Sequence, residues 1–229
     1  MVKTKASKAQ SVKPSHWLFI IPQFYQDSDG WIKANPWRRR IESDPRFPQL
    51  GHVEWLEGPI KLDYTTFLGE VKSKLESLIS EEHPISPSEW KVVLVPTHGD
   101  KNAGITMHPD PEDKTMHWGR AYQWFSAFHS LGVRRLHLQT CYVGSKFLDL
   151  PVCKTPIPGE VMTVTAWSDW LWTPDQEYLV ESDDYIFRGI PLVRTMSQSK
   201  KRGFPSMVQV KVNAIGEIVR RELCKRGRE

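Results

Sequence analysis

Short apolar runs alternate along this chain with longer segments of helical period, and this alternation limits the folds open to it. Residues 16–24 and 90–97 each contain a continuous apolar centre typical of a buried strand, and apolar positions at Val133, Leu136 and Leu138 suggest another short strand over 133–141. A further strand is expected over 161–166, where apolar and hydroxyl side chains alternate. Strands separated by helices favour a mostly parallel sheet flanked by helices on both faces, so we predict an α/β fold.

The segments between these runs supply the predicted helices. Residues 63–80 and 117–131 carry apolar side chains at helical spacing, and Gly132 is a natural end for the second segment. Residues 204–223 also fit a helical period and are predicted as a third helix. The polar, proline-containing stretch 26–48 is predicted as a long loop, and residues 142–145 as a turn.

Composition excludes several classes of protein. The chain has 229 residues, enough for a sizeable core, and its three cysteines show no disulfide-framework spacing. The apolar run 17–21 ends at Pro22, which is too short for a membrane span, and no small-residue cleavage site follows. These features predict a cytoplasmic protein in a reducing compartment, without a membrane partner.

Positive charge is concentrated at the N-terminus. The net charge is +4, and the residues before Ser15 contribute lysines with no acidic neighbour. Their Ser, Ala and Gln content favours a disordered basic tail over 1–15, followed by a single α/β domain over 16–229. Because no basic and aromatic repeat or zinc-finger spacing follows the tail, nucleic acid is not an expected partner.

Two neighbouring strands of the predicted sheet lead into residues with nucleophilic chemistry. Residues 97–99 read Thr-His-Gly, and residues 139–141 read Gln-Thr-Cys. The carboxyl ends of parallel strands joined by a right-handed crossover meet at one edge of a sheet. A thiol with a free pKa of about 8.5 needs a neighbouring base or cation to attack as a thiolate. We therefore predict Cys141 as nucleophile and His98 as general acid/base, with the Gly99 and Cys141 amides as oxyanion donors.

The two motifs resemble the caspase-fold cysteine peptidases, a superfamily that includes caspases, metacaspases, clostripain-like enzymes and CHAT domains. The resemblance spans roughly residues 16–195 and implies a caspase-like three-layer sandwich, with peptide hydrolysis through a thioester acyl-enzyme and no cofactor or metal ion. Caspases place glycine two positions after the cysteine, whereas Gly144 stands three positions after Cys141. Residues 161–169 look more like the corresponding strand of CHAT domains. The superfamily is therefore assigned, and the member family is not.

The resemblance also implies a substrate pocket. In this superfamily the residue two positions before the nucleophile lines the pocket for the side chain that precedes the scissile bond. Here it is Gln139, whose neutral amide does not pair a buried guanidinium. An acidic preference needs an arginine, which Arg38, Arg39, Arg40 or Arg194 would supply. The predicted substrate-binding residues are Gln139, Thr97, Trp167, Ser168 and Arg38, and the predicted partners are a protein or peptide substrate and a regulatory protein.

Other interpretations stay open from the sequence alone. A cytosolic cysteine is often only a small buried hydrophobe. A non-catalytic caspase-fold module that binds a partner protein, or a thiol-dependent hydrolase of a small molecule, accounts for the same motifs. A zinc site lacks the close pairing of ligands that metal motifs show. The remaining histidines are expected on the surface or in helices; they include His108, His117, His129 and His137. We favour the cysteine endopeptidase.

Overall fold

The computed structural model describes residues 16–22, 34–58, 64–78, 85–94, 98–100, 104–106, 121–139, 143–154, 159–167, 186–187 and 207–223. The strands are β1 (His16–Pro22), β2 (His52–Gly58), β3 (Trp90–Leu94), β4 (His98–Asp100), β5 (Gly104–Thr106), β6 (Arg135–Leu138), β7 (Met162–Trp167), β8 (Met207–Val212) and β9 (Ile218–Leu223). The helices are α1 (Ala34–Ser43), α2 (Tyr64–Ser77), α3 (Ala121–Ser130) and α4 (Val143–Asp149).

Within these ranges a seven-stranded sheet has the order β2-β1-β3-β6-β7-β8-β9. The first five strands in this order pair in parallel, whereas β8 and β9 are antiparallel to their neighbours. Strands β4 and β5 form a separate antiparallel pair. The sheet is therefore mixed and mostly parallel, and the predicted α/β fold class is confirmed.

The sheet separates two apolar clusters. Helices α2, α3 and α4 lie on one face of the sheet, and α1 lies on the opposite face. The face with three helices buries Val71, Leu75, Trp124, Phe125, Phe128, Val143 and Phe147. The α1 side buries Ile41 and Leu50 against strand residues that include Trp17, Phe19 and Val93. Helices thus lie on both faces, as the alternation of strands and helices predicts.

The C-terminal helix prediction over 204–223 is wrong. Residues 207–223 form the antiparallel strands β8 and β9, and the turn between them contains Gly216 at φ 85°. Val208, Val210 and Val212 are all buried, which is the period of two that a strand requires, and Ile215 of the proposed helical face is 52 % exposed. β-branched residues favour this extended arrangement over a helix.

Two predicted irregular segments contain helices. The loop over 26–48 includes α1, which begins with Ala-Asn-Pro, and proline is tolerated in a first helical turn. Within α1, Arg38 Nε donates to Glu42 Oε1 at 2.7 Å, and Ile41 is fully buried. The turn predicted over 142–145 overlaps α4, which begins at Val143. The apolar residues that anchor these helices are too few to show a period in the sequence.

Gly144 allows α4 to approach the backbone of β7. A β-carbon at this position would lie 2.7 Å from the carbonyl oxygen of Ala166 and from the carbonyl carbon of Trp167. Gly69 of α2 is the opposite case, since a β-carbon there meets nothing within 4 Å. The close contact of Gly144 therefore fixes the start of α4 directly behind the segment that contains Cys141.

We expect the same substitution to have opposite effects at these two glycines. Gly144→Ala should lower the free energy of unfolding by roughly 1–3 kcal/mol, because backbone must move to admit the methyl group. Gly69→Ala should raise it by roughly 0.5–1 kcal/mol, because alanine restricts the unfolded chain and fits the helix. Urea denaturation of the two variants measures both values, and changes of the same sign would contradict the contact at Gly144.

The N-terminal tail and the membrane prediction remain to be compared with the structure. The basic tail over 1–15 lies outside the described residues, so its predicted disorder stays a prediction. Among the residues that are described, no helix is both long and apolar enough to cross a membrane.

Candidate active site at the carboxyl edge of β3 and β6

The two strands that lead to His98 and Cys141 are neighbours in the sheet. β3 and β6 pair in parallel, with Leu94 opposite Leu138 at their carboxyl ends. The Gln139 N–H donates to the Leu94 carbonyl oxygen at 2.9 Å and extends this pairing by one residue. The chain segments that continue toward His98 and Cys141 therefore leave the sheet side by side, at the edge where parallel sheets usually bind ligands.

The predicted strand ends differ from the observed ones. β3 ends at Leu94, so His98 is not its last residue but the first residue of β4. β6 ends at Leu138, three positions before Cys141. In the separate β4-β5 pair, His98 stands opposite Thr106 and Gly99 opposite Ile105.

Several predicted site residues lie outside the described residues. These are Thr97, Cys141 and Ser168, together with the side chain of His98. The contact between imidazole and thiol therefore stays a prediction, as do the oxyanion donors at Gly99 and Cys141. What the structure establishes is the pairing of the two strands that precede them.

Gln139 is held in a buried polar network beside this edge. Its Oε1 accepts from His137 Nε2 at 2.8 Å and from Trp167 Nε1 at 3.3 Å, and His137 Nδ1 lies 2.9 Å from Thr165 Oγ1. The indole is a donor only, which fixes the amide orientation and requires the hydrogen of His137 on Nε2. In this tautomer His137 Nδ1 accepts from the Thr165 hydroxyl. The network joins the ends of β6 and β7.

His137 contradicts its predicted place on the surface or in a helix. It lies in β6 and is 4 % exposed, so its ring is enclosed by the sheet and by Trp167, whose ring centroid lies 6.5 Å away. Burial lowers the pKa of His137 to about 4. The imidazole is therefore neutral at pH 7, and it serves as a fixed hydrogen-bond partner of Gln139.

The structure brings together two of the predicted substrate-binding residues, Gln139 and Trp167. Both are buried, at 1 % and 4 % exposure. Both hydrogen bonds of the Gln139 side chain to described residues go to its oxygen, so its amide nitrogen has no partner among these residues.

Arg38 lies elsewhere and has its own partners. Its guanidinium pairs with Glu42 at 2.7 Å and with Glu57 at 3.1 Å, and it stacks over the Trp55 ring at 4.8 Å from the centroid. Glu57 and Trp55 belong to β2, which β1 separates from β3. A substrate carboxylate at Arg38 would compete with both of these glutamates.

The sequence reasoning missed His137 and Thr165 as parts of this network. The sequence pattern that indicates this network is an alternation of polar residues. Positions 135, 137 and 139 are polar, positions 163 and 165 carry hydroxyls, and this spacing puts polar side chains on one face of each strand. Cys153 is half-buried, and its backbone N–H donates to the Ile218 carbonyl at 2.7 Å. No group of three or more potential metal ligands occurs in the part of the chain that the structure describes.

Similarity to known proteins is found among solved structures. No protein-family profile matches the chain, and no curated protein matches it. Among solved structures the chain is similar to caspase-1 from Spodoptera frugiperda, with 11 % sequence identity and a TM-score of 0.38. The match covers 81 % of this chain and 73 % of that chain.

Proposed function

We propose that this chain is a caspase-like cysteine endopeptidase that acts in the cytoplasm, with Cys141 as nucleophile and His98 as general acid/base. The observation that carries the proposal is the parallel pairing of β3 and β6, with Leu94 opposite Leu138 and Gln139 bonded to Leu94. The chain continues toward His98 from the end of β3 and toward Cys141 from the end of β6, which is the neighbouring strand. The same two motifs resemble those of the caspase-fold peptidases.

The proposed reaction proceeds in two steps. The Cys141 thiolate attacks the scissile carbonyl carbon, and the oxyanion receives hydrogen bonds from the Gly99 and Cys141 amides. The C–N bond breaks, the protonated His98 gives its proton to the leaving amine, and a thioester remains on Cys141. Water, deprotonated by His98, then attacks the thioester, so that a carboxylic acid leaves and the thiol is restored.

Gln139 supports a preference for an acceptor side chain before the scissile bond. Its oxygen is taken by His137 and Trp167, which leaves only amide hydrogens for a substrate. Such hydrogens suit a carboxylate or carboxamide oxygen and do not suit a guanidinium or ammonium group. The substrate proposed for this site is a peptide with Asn or Gln before the cleaved bond; Asp or Glu would in addition need an arginine such as Arg39, Arg40 or Arg194 to balance its charge.

Selective alkylation of Cys141 tests whether its thiol is activated. Iodoacetamide or a peptidyl acyloxymethyl ketone should modify Cys141 at least about tenfold faster than the half-buried Cys153, because a neighbouring imidazole raises the thiolate fraction. His98→Gln should remove most of this difference. Site-resolved mass spectrometry after short exposures gives both rates.

Equal and slow labelling of Cys141, Cys153 and Cys224 would contradict the peptidase proposal and favour a non-catalytic binding module. Fast labelling of Cys141 without cleavage of any member of a peptide library would favour a thiol-dependent hydrolase of a small molecule. The unfolding temperature of each variant, compared with that of the wild type, shows whether the fold is kept.

A further inference from the structure

A row of residues crosses five strands on the face of the sheet that carries α1. The strand register aligns Trp17 with Lys91, Lys91 with Arg135, Arg135 with Thr163, and Thr163 with Lys211. Residues paired in this way project from the same face, and neighbouring strands lie about 4.8 Å apart. Three basic side chains therefore stand along one line, which we call the cationic row: Lys91, Arg135 and Lys211.

The cationic row borders a cavity of about 260 Å³. The next row along the strands adds polar side chains to its wall, in the order His137, Thr165 and Gln209. Trp17 closes one end of the cavity, and its buried Nε1 has no hydrogen-bond partner among the described residues. The wall thus combines positive charge with hydroxyl, amide and indole donors.

Among the described residues, the charges of the cationic row lack acidic neighbours that would neutralise them. In the part of the chain that the structure describes, no carboxylate forms a salt bridge with Lys91, Arg135 or Lys211. Lys91 Nζ lies 4.5 Å from the centroid of the Trp17 ring, and Lys211 Nζ donates to Thr163 Oγ1. Burial, followed by the charge of Arg135, lowers the pKa of Lys91. Like charges on directly opposed strand residues destabilise a sheet, so this arrangement opposes folding when nothing is bound.

We propose that the cationic row binds a small polyanion that carries two or more phosphate groups, with Lys91, Arg135 and Lys211 as its ligands. The planar guanidinium of Arg135 suits two phosphate oxygens at once, and the two lysines supply point charges on either side. Thr163, whose hydroxyl stands between Arg135 and Lys211, is placed to contact the same ligand. This proposal does not depend on peptidase activity, because it concerns the face of the sheet and not its carboxyl edge.

Phosphate groups fit the cavity better than an extended acidic peptide does. Two linked phosphates bring several negative charges into a small volume, whereas each peptide carboxylate brings one charge per side chain. The bound anion would also remove the repulsion between Lys91 and Arg135. Ligand binding should therefore stabilise the folded chain, and the stabilisation should rise with the logarithm of the free ligand concentration once this exceeds the Kd.

Calorimetric titration of the full chain with inorganic tripolyphosphate at physiological salt tests the proposal. The wild type should bind saturably at one site. The triple variant Lys91→Gln, Arg135→Gln, Lys211→Gln should bind at least about tenfold more weakly, since it loses three charge-assisted contacts to the phosphate oxygens. A control with the same charge change, Lys72→Gln, Lys146→Gln, Lys154→Gln, should bind within about twofold of the wild type because these lysines lie on α2, on α4 and beyond α4.

A single variant keeps the test valid if the triple variant fails to fold. Arg135 is exposed, so Arg135→Gln should fold normally and still lose at least about threefold in affinity. Absence of saturable binding to the wild type, or equal losses in the triple variant and its control, would overturn the proposal. Tighter binding of hexaglutamate than of tripolyphosphate would assign the row to an acidic peptide instead. Binding that appears only after the acidic residues between Asp169 and Asp184 are neutralised would indicate that this acidic segment occupies the cationic row. That outcome would also overturn the phosphate proposal.

Discussion

Replacement of Cys141 by alanine should abolish peptide hydrolysis, with a fall in kcat of roughly a thousandfold or more. The thiolate is the atom that forms the acyl-enzyme, and an alanine methyl group has no substitute chemistry. Residues that act as one catalytic unit give losses of this size when any one of them is removed. Hydrolysis of a peptide library by wild type and Cys141→Ala measures the effect.

Three further variants make this result specific to the dyad. Cys153→Ala should keep wild-type activity, because Cys153 lies near Ile218 and not at the edge of β3 and β6. His98→Ala should lose nearly as much activity as Cys141→Ala, and the double variant should lose little more than either single variant. Additive losses, or hydrolysis that survives Cys141→Ala in a folded protein, would remove Cys141 from the catalytic role.

Acidification should destabilise the protein through His137. Burial holds the pKa of His137 at about 4 in the folded chain, below its ordinary value of about 6.5 in the unfolded chain. Between these two values the unfolded chain binds more protons, so the free energy of unfolding must fall as the pH falls. The contribution of neutral His137 is fully present above about pH 6.5 and is lost by about pH 4, a difference of roughly 3 kcal/mol.

Comparison with His137→Gln isolates this effect from other titrating groups. The free energy of unfolding of the wild type should fall relative to that of the variant as the pH falls from about 6.5 to about 4. This holds for any difference in stability between the two proteins at pH 7. Urea denaturation at several pH values gives the difference, and the NMR shift of the His137 ring gives its midpoint directly. A pH-independent difference, with a ring midpoint near 6.5, would contradict the buried neutral imidazole.

β1 and β3 could be predicted because their burial on both faces leaves a continuous apolar run, and β6 because its apolar residues Leu136 and Leu138 recur at strand spacing. The runs that became β1, β3 and β6 were placed correctly, apart from their ends. Strand β7 was placed by alternation. The C-terminal pair was missed because Val208 and Val212 fit a helical spacing as well as a strand spacing. Asn213 and Gly216 indicate a turn at this point and would have favoured two strands over one helix. In the structure the Asn213 side chain accepts hydrogen bonds from the backbone of the turn, and Gly216 has a positive φ.

The polar network at the site was harder to predict than the strands. A buried histidine requires partners, and those of His137 are Thr165, 28 positions further along the chain, then Trp167, and Gln139, which lies two positions away and just beyond the end of β6. Only the pairing of β6 with β7 brings Thr165 and Trp167 to His137. Gln139 was identified from a motif, but the fixing of its oxygen by two donors depends on this pairing.

The internal position of β1 bears on how the chain is made. β1 pairs with β2 and β3, and both of these strands are synthesised after it. The residues that pair with His16 are His52 and Trp90, which follow it in the chain. Non-local pairings of this kind slow folding and leave early strands unpaired during synthesis. β8 and β9 are the last strands of this sheet in chain order, so the sheet is complete only after residue 223 has been synthesised. Until β2 and β3 have formed, the buried side chains of β1, such as Phe19 and Ile20, lack the neighbours that cover them.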